Sequence, residues 1–143
     1  PQARAASRAL TLKTQLESAL PAISADKKRL AQVLNNLLEN AIRHTPKGGA
    51  ITVRVVRDAA AVRFAVQDTG EGIPASDLTR IFESFYQASG VPGGSGGGRL
   101  GLGLSISREI VQSHKGRIWV ESEGKGKGAT FLFTIPCNFR TGP

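Results

Sequence analysis

Between residues 30 and 42, apolar side chains recur as Leu30, Val33, Leu34, Leu37, Leu38, Ala41 and Ile42, at intervals of three and four. That repeat marks a helix with one stripe facing a core. Asp26 stands where an N-cap would, and Thr45 precedes Pro46, a position that avoids the α region, so the pattern predicts a helix from about 27 to 44. Upstream, "ALTLKTQL" (9–16) alternates as a strand does, and "ALPAIS" adds a short extended piece. Downstream, "AITVRVV" (50–56) and "AVRFAVQD" (61–68) read as a hairpin joined by "RDAA". "ASDLTRIFESFY" (75–86) reads as one or two helical turns, with Leu78, Ile81, Phe82 and Phe85 turned inward. "LSISREIVQSHKG" (104–116) is a further helix with Gly116 as its stop, and "RIWVESE" and "GATFLFTIP" close the chain as two strands. Strands that come in pairs favour an α+β two-layer sandwich over βαβ units.

One stretch carries no such pattern. Residues 90–103, "GVPGGSGGGRLGLG", hold eight glycines in fourteen positions, too little side chain to pack a core, and are expected to form a mobile loop. Within it Gly96, Gly98 and Gly101 match G-x-G-x-x-G. A dinucleotide fingerprint needs a strand running directly into the glycines, and none does so here.

Composition narrows the classes. A chain of 143 residues is the size of one ordinary domain, with an expected core of about 9–136. No apolar run approaches the ~20 residues that span a bilayer. A chain that opens on Pro1 and has no methionine is expected to be a piece of a longer protein or a processed product. The single cysteine, Cys137, excludes an internal disulfide or a cysteine-based metal cluster and suits a reducing compartment. The net charge of +8 raises the question of nucleic acid, but the basic residues are scattered and no aromatic platform accompanies them. An incidental solvated basic surface is the expectation, with no nucleic-acid partner.

Three constellations carry candidate chemistry. The first is the polar side of the long helix: Asn36 and Asn40 are one turn apart, and Arg43 and His44 continue the stripe. Asparagine is a mediocre helix former, so three in one helix need a reason. Amide carbonyls are hard oxygen ligands suited to Mg²⁺, which shares its shell with phosphates. A plain helix surface stays open as the alternative. The second is "VRFAVQDTGEGIP". Val62, Phe64 and Val66 alternate onto one strand face, and the next step puts Asp68 on that same buried face. A buried carboxylate needs a partner, and the exocyclic amine of adenine is one candidate; an Asp-Thr-Gly turn with Asp68 capping it is the other. The third is the glycine-rich loop running into the helix at "GLGLSIS", where free backbone N–H groups form an anion site.

In this order, the pieces resemble the catalytic, ATP-binding domain of sensor histidine kinases, part of the GHKL superfamily. "QVLNNLLENAIRHT" is similar to that family's N box, "DTGEGIP" to its G1 box, "IFESFY" to its F box and "LGLGLSI" to its G2 box, while "HKGRIWVESEGKGKGATFLFTIP" resembles its closing segment. The resemblance covers about residues 20 to 136. It implies a Bergerat fold: a mixed, mainly antiparallel sheet of about five strands packed against three helices, with a glycine-rich ATP lid over about 87–101. It implies Mg²⁺ and ATP as cofactors. Asn36 and Asn40 match the metal-holding asparagines, Arg43 the cation that meets the phosphates, and His44 a frequent neighbour of them. Asp68 matches the adenine-reading aspartate, with Gly70, Gly72 and Ile73 shaping its pocket and Thr130 matching a threonine of the adenine water network. Gly101, Leu102, Gly103 and Leu104 match the junction over the phosphates.

The same resemblance separates kinase from ATPase. Hydrolysing members of the superfamily carry a water-activating glutamate four residues before the second asparagine; here that position is Asn36, which favours transfer to another acceptor. Gln87 stands where many relatives have an arginine, and Arg99, in the lid, is a candidate to supply that charge. Lys115 replaces a frequent glycine and is expected to be a harmless helix-end cation. Neither His44 nor His114 has the context of the family's phosphoacceptor histidine. The implied activity is therefore γ-phosphate transfer to a histidine on a separate dimerisation domain of the same kinase, for relay to a response-regulator aspartate. The alternatives are an anti-sigma-type serine kinase or a degenerate nucleotide-binding module. The implied setting is cytoplasmic, the piece monomeric, and the full-length kinase a homodimer that an inner-membrane anchor could hold.

Overall fold

The computed structural model describes residues 9–21, 23, 25–78, 80–83 and 102–137. Five strands form one sheet: β1 (Thr11–Leu16), β2 (Ala50–Asp58), β3 (Ala61–Asp68), β4 (Arg117–Glu121) and β5 (Ala129–Pro136). Their spatial order is β1-β2-β3-β5-β4. β1 runs parallel to β2, and the remaining pairs are antiparallel. Among the described residues two helices, α1 (Lys27–His44) and α2 (Leu102–Ser113), form the second layer.

The alternation read from β3 holds in three dimensions. Val62, Phe64, Val66 and Asp68 are buried, and their counterparts Ala129, Phe131, Phe133 and Ile135 on β5 are buried beside them. Phe64 and Phe133 pair across the strands with ring centroids 4.6 Å apart and planes at 6°. Onto this face α1 sets Val33, Leu37, Ala41 and Ile42, and α2 sets Ile110 and Val111. At roughly 1.5–3 kcal/mol for each large side chain fully buried, this shared face is what makes the two layers one unit. The opposite face of the sheet carries Arg54, Arg63, Gln67, Glu121, Thr130 and Leu132 around a shallow recess.

The ends of α1 are fixed by side chains. Asp26 Oδ1 accepts from the N–H groups of Lys28 and Arg29 at 3.0 and 3.3 Å, satisfying donors that a helix start leaves free. The Asp26 N–H donates to His114 Nε2 at 3.0 Å, while Nδ1 of the same ring lies 2.9 Å from the Ile110 carbonyl. A neutral ring protonated on Nδ1 satisfies both, so His114 ties the end of α2 to the start of α1. At the other end Thr45 is extended, fully buried, and donates its hydroxyl to the Ala41 carbonyl at 2.6 Å.

Three local expectations change. The hairpin link is shorter than "RDAA", because β2 runs on to Asp58; only Ala59 and Ala60 remain between the strands, with Ala59 at φ 57. α2 starts and stops earlier than 104–116. Its end is a Schellman motif, with Gly116 N–H bonded to Val111 O and Lys115 N–H to Gln112 O, and it is Lys115 that takes the left-handed φ of 65. Gly116 is needed for a different reason: a Cβ there would lie 1.8 Å from the Thr134 carbonyl. The segment from 75 opens as a 3₁₀ turn, Ala75–Asp77, after Pro74, so two α-helices rather than three are found among the described residues. Ile81 and Phe82 are buried as expected and Leu78 is partly buried. Phe85, Gln87, Arg99, Gly101 and the lid lie outside the described residues.

Candidate nucleotide site

The last turn of α1 meets the loop that leaves β3. The Glu71 N–H donates to the His44 carbonyl at 3.2 Å, and a Cβ on Gly70 would lie 2.3 Å from that same carbonyl oxygen. Only glycine lets the two segments approach this closely. The contact brings Asn40, Arg43 and His44 to one side of a corner and Asp68, Gly70, Gly72 and Ile73 to the other.

Asp68 is 5% exposed. Its Oδ1 accepts the Gly70 N–H at 2.8 Å. Burial pushes its carboxyl above the ordinary aspartate range; the N–H groups of Gly70 and Ala129 and the nearby His44 pull it back, and Glu71 adds to the rise. A carboxylate held this way, at the mouth of a glycine-lined loop, is a hydrogen-bond acceptor for an amine donor, in an apolar setting where such bonds are strong.

The α1 side has a different character. Asn40 is buried, and its Oδ1 accepts from Arg43 Nη2 at 3.4 Å, a long bond. His44 Nδ1 and Glu71 Oε2 are 2.5 Å apart. Asn36 is turned toward α2: its Nδ2 donates to the Gly103 carbonyl and to Ser107 Oγ, both at 3.2 Å. It thereby joins the two helices at the first turn of α2, where Gly103 and Leu104 stand and where Leu102 begins the helix. Among the described residues no cluster of three or more His, Cys, Asp and Glu could hold a metal. Mg²⁺ needs no such cluster, since one or two protein oxygens beside phosphates suffice, and Asn40 Oδ1, weakly held by Arg43, fits that role.

One expected residue is not brought to the site. Thr130 alternates with the buried Ala129 and Phe131 and lies in the recess on the opposite face of the sheet from Asp68. Its strand neighbour Ala129, the register partner of Asp68, occupies the near position instead. The period of two that placed Asp68 would have given the same answer for β5. Two contributors were not singled out from the sequence. Ser107 is buried and receives Asn36. The β4–β5 loop crosses the Asp68 loop, with Gly126 N–H donating to Glu71 O at 2.6 Å and Gly128 N–H to Gly70 O at 3.1 Å. Its signal was visible: glycine at every second position in "GKGKG", where left-handed φ values recur at 124, 126 and 128.

A mixed, mainly antiparallel five-stranded sheet under two helices, with N-box, G1 and G2 segments at one end, defines an ATP-binding sandwich of the Bergerat type. The family described as histidine kinase-, DNA gyrase B- and HSP90-like ATPase matches residues 25–138, and the chain belongs to it. The adaptive-response sensory kinase SasA of Synechococcus elongatus is 46% identical over 124 residues, 86% of this chain and 31% of the relative. The nucleotide-free catalytic domain of histidine kinase ThkA superposes with a TM-score of 0.80 at 31% identity, covering 95% of this chain and 86% of that one. Full-length ShkA in complex with AMPPNP gives a TM-score of 0.80 at 34% identity, covering 94% of this chain and 27% of that one. ThkA in complex with the response regulator TrrA gives 0.76 at 29%, covering 95% and 36%. The chain thus spans about a third of the length of the curated relatives it matches. Its relatives are sensor histidine kinases of two-component signalling, and its fold is that of their catalytic domain. No described helix is long and apolar enough to cross a membrane.

Proposed function

We propose that this domain binds Mg-ATP and donates the γ-phosphoryl group to a histidine on a separate dimerisation domain of the same kinase, from which it passes to a response-regulator aspartate. The observation that carries the reading is the buried Asp68 carboxylate set in a glycine loop against the Asn40–Arg43–His44 end of α1. Asp68 would accept the adenine amine, with Gly70, Gly72 and Ile73 forming the wall around the base. Asn40 would hold Mg²⁺, with Asn36 as second candidate, and Arg43 and His44 would face the phosphates. Leu102, Gly103 and Leu104, with Gly101 and Arg99 before them, would cover the phosphates. Thr130 has no part in this assignment. The bound metal ion would neutralise phosphate charge.

The transfer breaks the bond between the γ-phosphorus and the bridging oxygen, releasing ADP. A phosphorus–nitrogen bond forms on the acceptor imidazole, which loses its proton. What this chain does is bind and orient the nucleotide and neutralise charge, which is most of what phosphoryl transfer asks of a protein. Asn36 in place of a water-activating glutamate supports transfer over hydrolysis. The reading has this domain as a monomer on the cytoplasmic side, serving a full-length kinase that is a homodimer.

The test is calorimetric titration with a non-hydrolysable ATP analogue, with and without Mg²⁺, followed by phosphotransfer from ATP to a dimerisation domain supplied separately. Metal-dependent binding and an acid-labile phosphohistidine on the acceptor are the expected results. A folded domain that binds no analogue overturns the reading.

A further inference from the structure

The loop between β4 and β5 contains one side chain whose hydrogen-bonding capacity is entirely spent on backbone. Ser122 Oγ accepts the N–H of Ile73 at 3.0 Å and that of Gly124 at 3.3 Å, and donates to the Gly128 carbonyl at 2.7 Å. A hydroxyl has one proton and two lone pairs, and all three are used. Gly124 and Gly128 are the two ends of the turn, so the serine closes that loop on itself. Ile73 belongs to the loop that leaves β3, so the same serine joins the two loops.

The join is reinforced at every step between them. Gly126 N–H reaches Glu71 O, and Gly128 N–H reaches Gly70 O. Gly72, at φ +75, passes so close to the crossing loop that a Cβ on it would lie 2.0 Å from the Gly124 carbonyl. Gly70, Glu71, Gly72 and Ile73 are therefore held one after another by the crossing loop, and Gly70 is the residue whose N–H fixes Asp68 Oδ1.

We propose that Ser122 is a positioning residue for the base end of the pocket, holding the Gly70–Ile73 wall at the height Asp68 needs to read adenine. This rests on the nucleotide assignment above. All three bonds of Ser122 go to backbone at the base end, so its effect falls on recognition of the base and leaves the metal and phosphate end as it was.

The experiment titrates the parent, Ser122→Ala and Ser122→Thr with non-hydrolysable analogues of ATP and GTP, each with and without Mg²⁺. Loss of the hydroxyl is expected to weaken ATP-analogue binding about tenfold and the GTP analogue by less than about threefold, so that base preference narrows. The enhancement by Mg²⁺ stays at the parent's value, and Ser122→Thr, which keeps the oxygen, restores the parent's preference. An unchanged base preference in Ser122→Ala, an equal loss for both nucleotides, or a threonine variant as poor as the alanine one overturns the proposal. Should Ser122→Ala not fold, Ser122→Cys, nearly the same size with a weakly bonding thiol, enters the same comparison. A parent that binds neither analogue overturns the nucleotide assignment itself; a parent that binds with preference intact in Ser122→Ala overturns only the role of Ser122.

Discussion

The two ends of the candidate site are built from different materials. At the base end, Asp68 is fixed by a backbone N–H, and the loop beyond it is stitched to α1 and to the β4–β5 loop by backbone bonds and close glycine contacts. At the phosphate end, Asn40 and Arg43 meet through a single long side-chain bond, and His44 leans on the exposed carboxylate of Glu71. Backbone geometry is set by folding and does not reorganise cheaply. Side chains on one turn of helix do. The base end is therefore preorganised for a rigid ring, while the phosphate end keeps donors and acceptors that a charged ligand and its metal can rearrange.

The largest effect is expected from Asn40→Ala. It removes the assigned metal oxygen and the bond that Asn40 accepts from Arg43, but touches no backbone bond. Titration with an ATP analogue is expected to show Mg²⁺-dependent affinity down by about a hundredfold or more, with the far-UV spectrum unchanged. Retained metal dependence would remove Asn40 from the metal role. Next in size is Asp68→Asn. A bond to a charged acceptor contributes about 1.5–3 kcal/mol, so the preference for the ATP over the GTP analogue should fall roughly ten- to a hundredfold. An undiminished preference would sink the adenine assignment.

Asp68 also makes a pH prediction whose sign is unusual for an aspartate. Because burial raises its folded value above 3.8, the native state binds more protons than the unfolded one in the window just above 3.8. Stability from this group therefore rises as pH falls through the raised value and levels off below 3.8. Nucleotide affinity runs the other way, since a protonated carboxyl loses acceptor capacity. Thermal melts and titrations between pH 4 and 7 should show the two trends crossing in the parent, with both components of this group absent in Asp68→Asn. A somewhat smaller effect is expected from Gly70→Ala, whose methyl must displace the His44 carbonyl: about 1–3 kcal/mol of stability by chemical denaturation, with weaker base recognition. An alanine variant as stable as the parent would show that the corner is not tightly fixed.

Much of this was legible in sequence because it obeys a period. α1 has the predicted bounds, and Asp68 lies buried where a count of two from Val62, Phe64 and Val66 puts it. The order of boxes picked out both ends of the candidate site. What the sequence hid was contact between segments far apart in the chain. Nothing local in "NNLLEN" says that Asn36 will turn its amide to Gly103 and Ser107 of the other helix. Ser122 is one serine in a polar turn until the loop it closes is folded against residue 73. Thr130 shows the opposite error: similarity to a motif placed it by the base, whereas strand parity, available from the same letters, turns it to the far face.

Lys115 supplies the control that the comparison needs, a change in backbone strain remote from both ends of the site. It occupies C′ of the Schellman motif at φ 65, where L side chains other than glycine, asparagine and aspartate are strained by about 1–2 kcal/mol. The lysine thus carries a conformational cost as well as a helix-end charge, although its side chain is exposed. Lys115→Gly relieves that strain but gives the unfolded chain more freedom, so the net gain is the smaller figure of roughly 0.5–1 kcal/mol. For a domain of this size that corresponds to a rise of about 2–5 °C in Tm. ATP-analogue affinity, base preference and metal dependence should all stay at parental values, because Gly116 and its packing against Thr134 are untouched. A glycine variant that melts at or below the parent would mean that the lysine side chain contributes enough at the helix end to offset the strain.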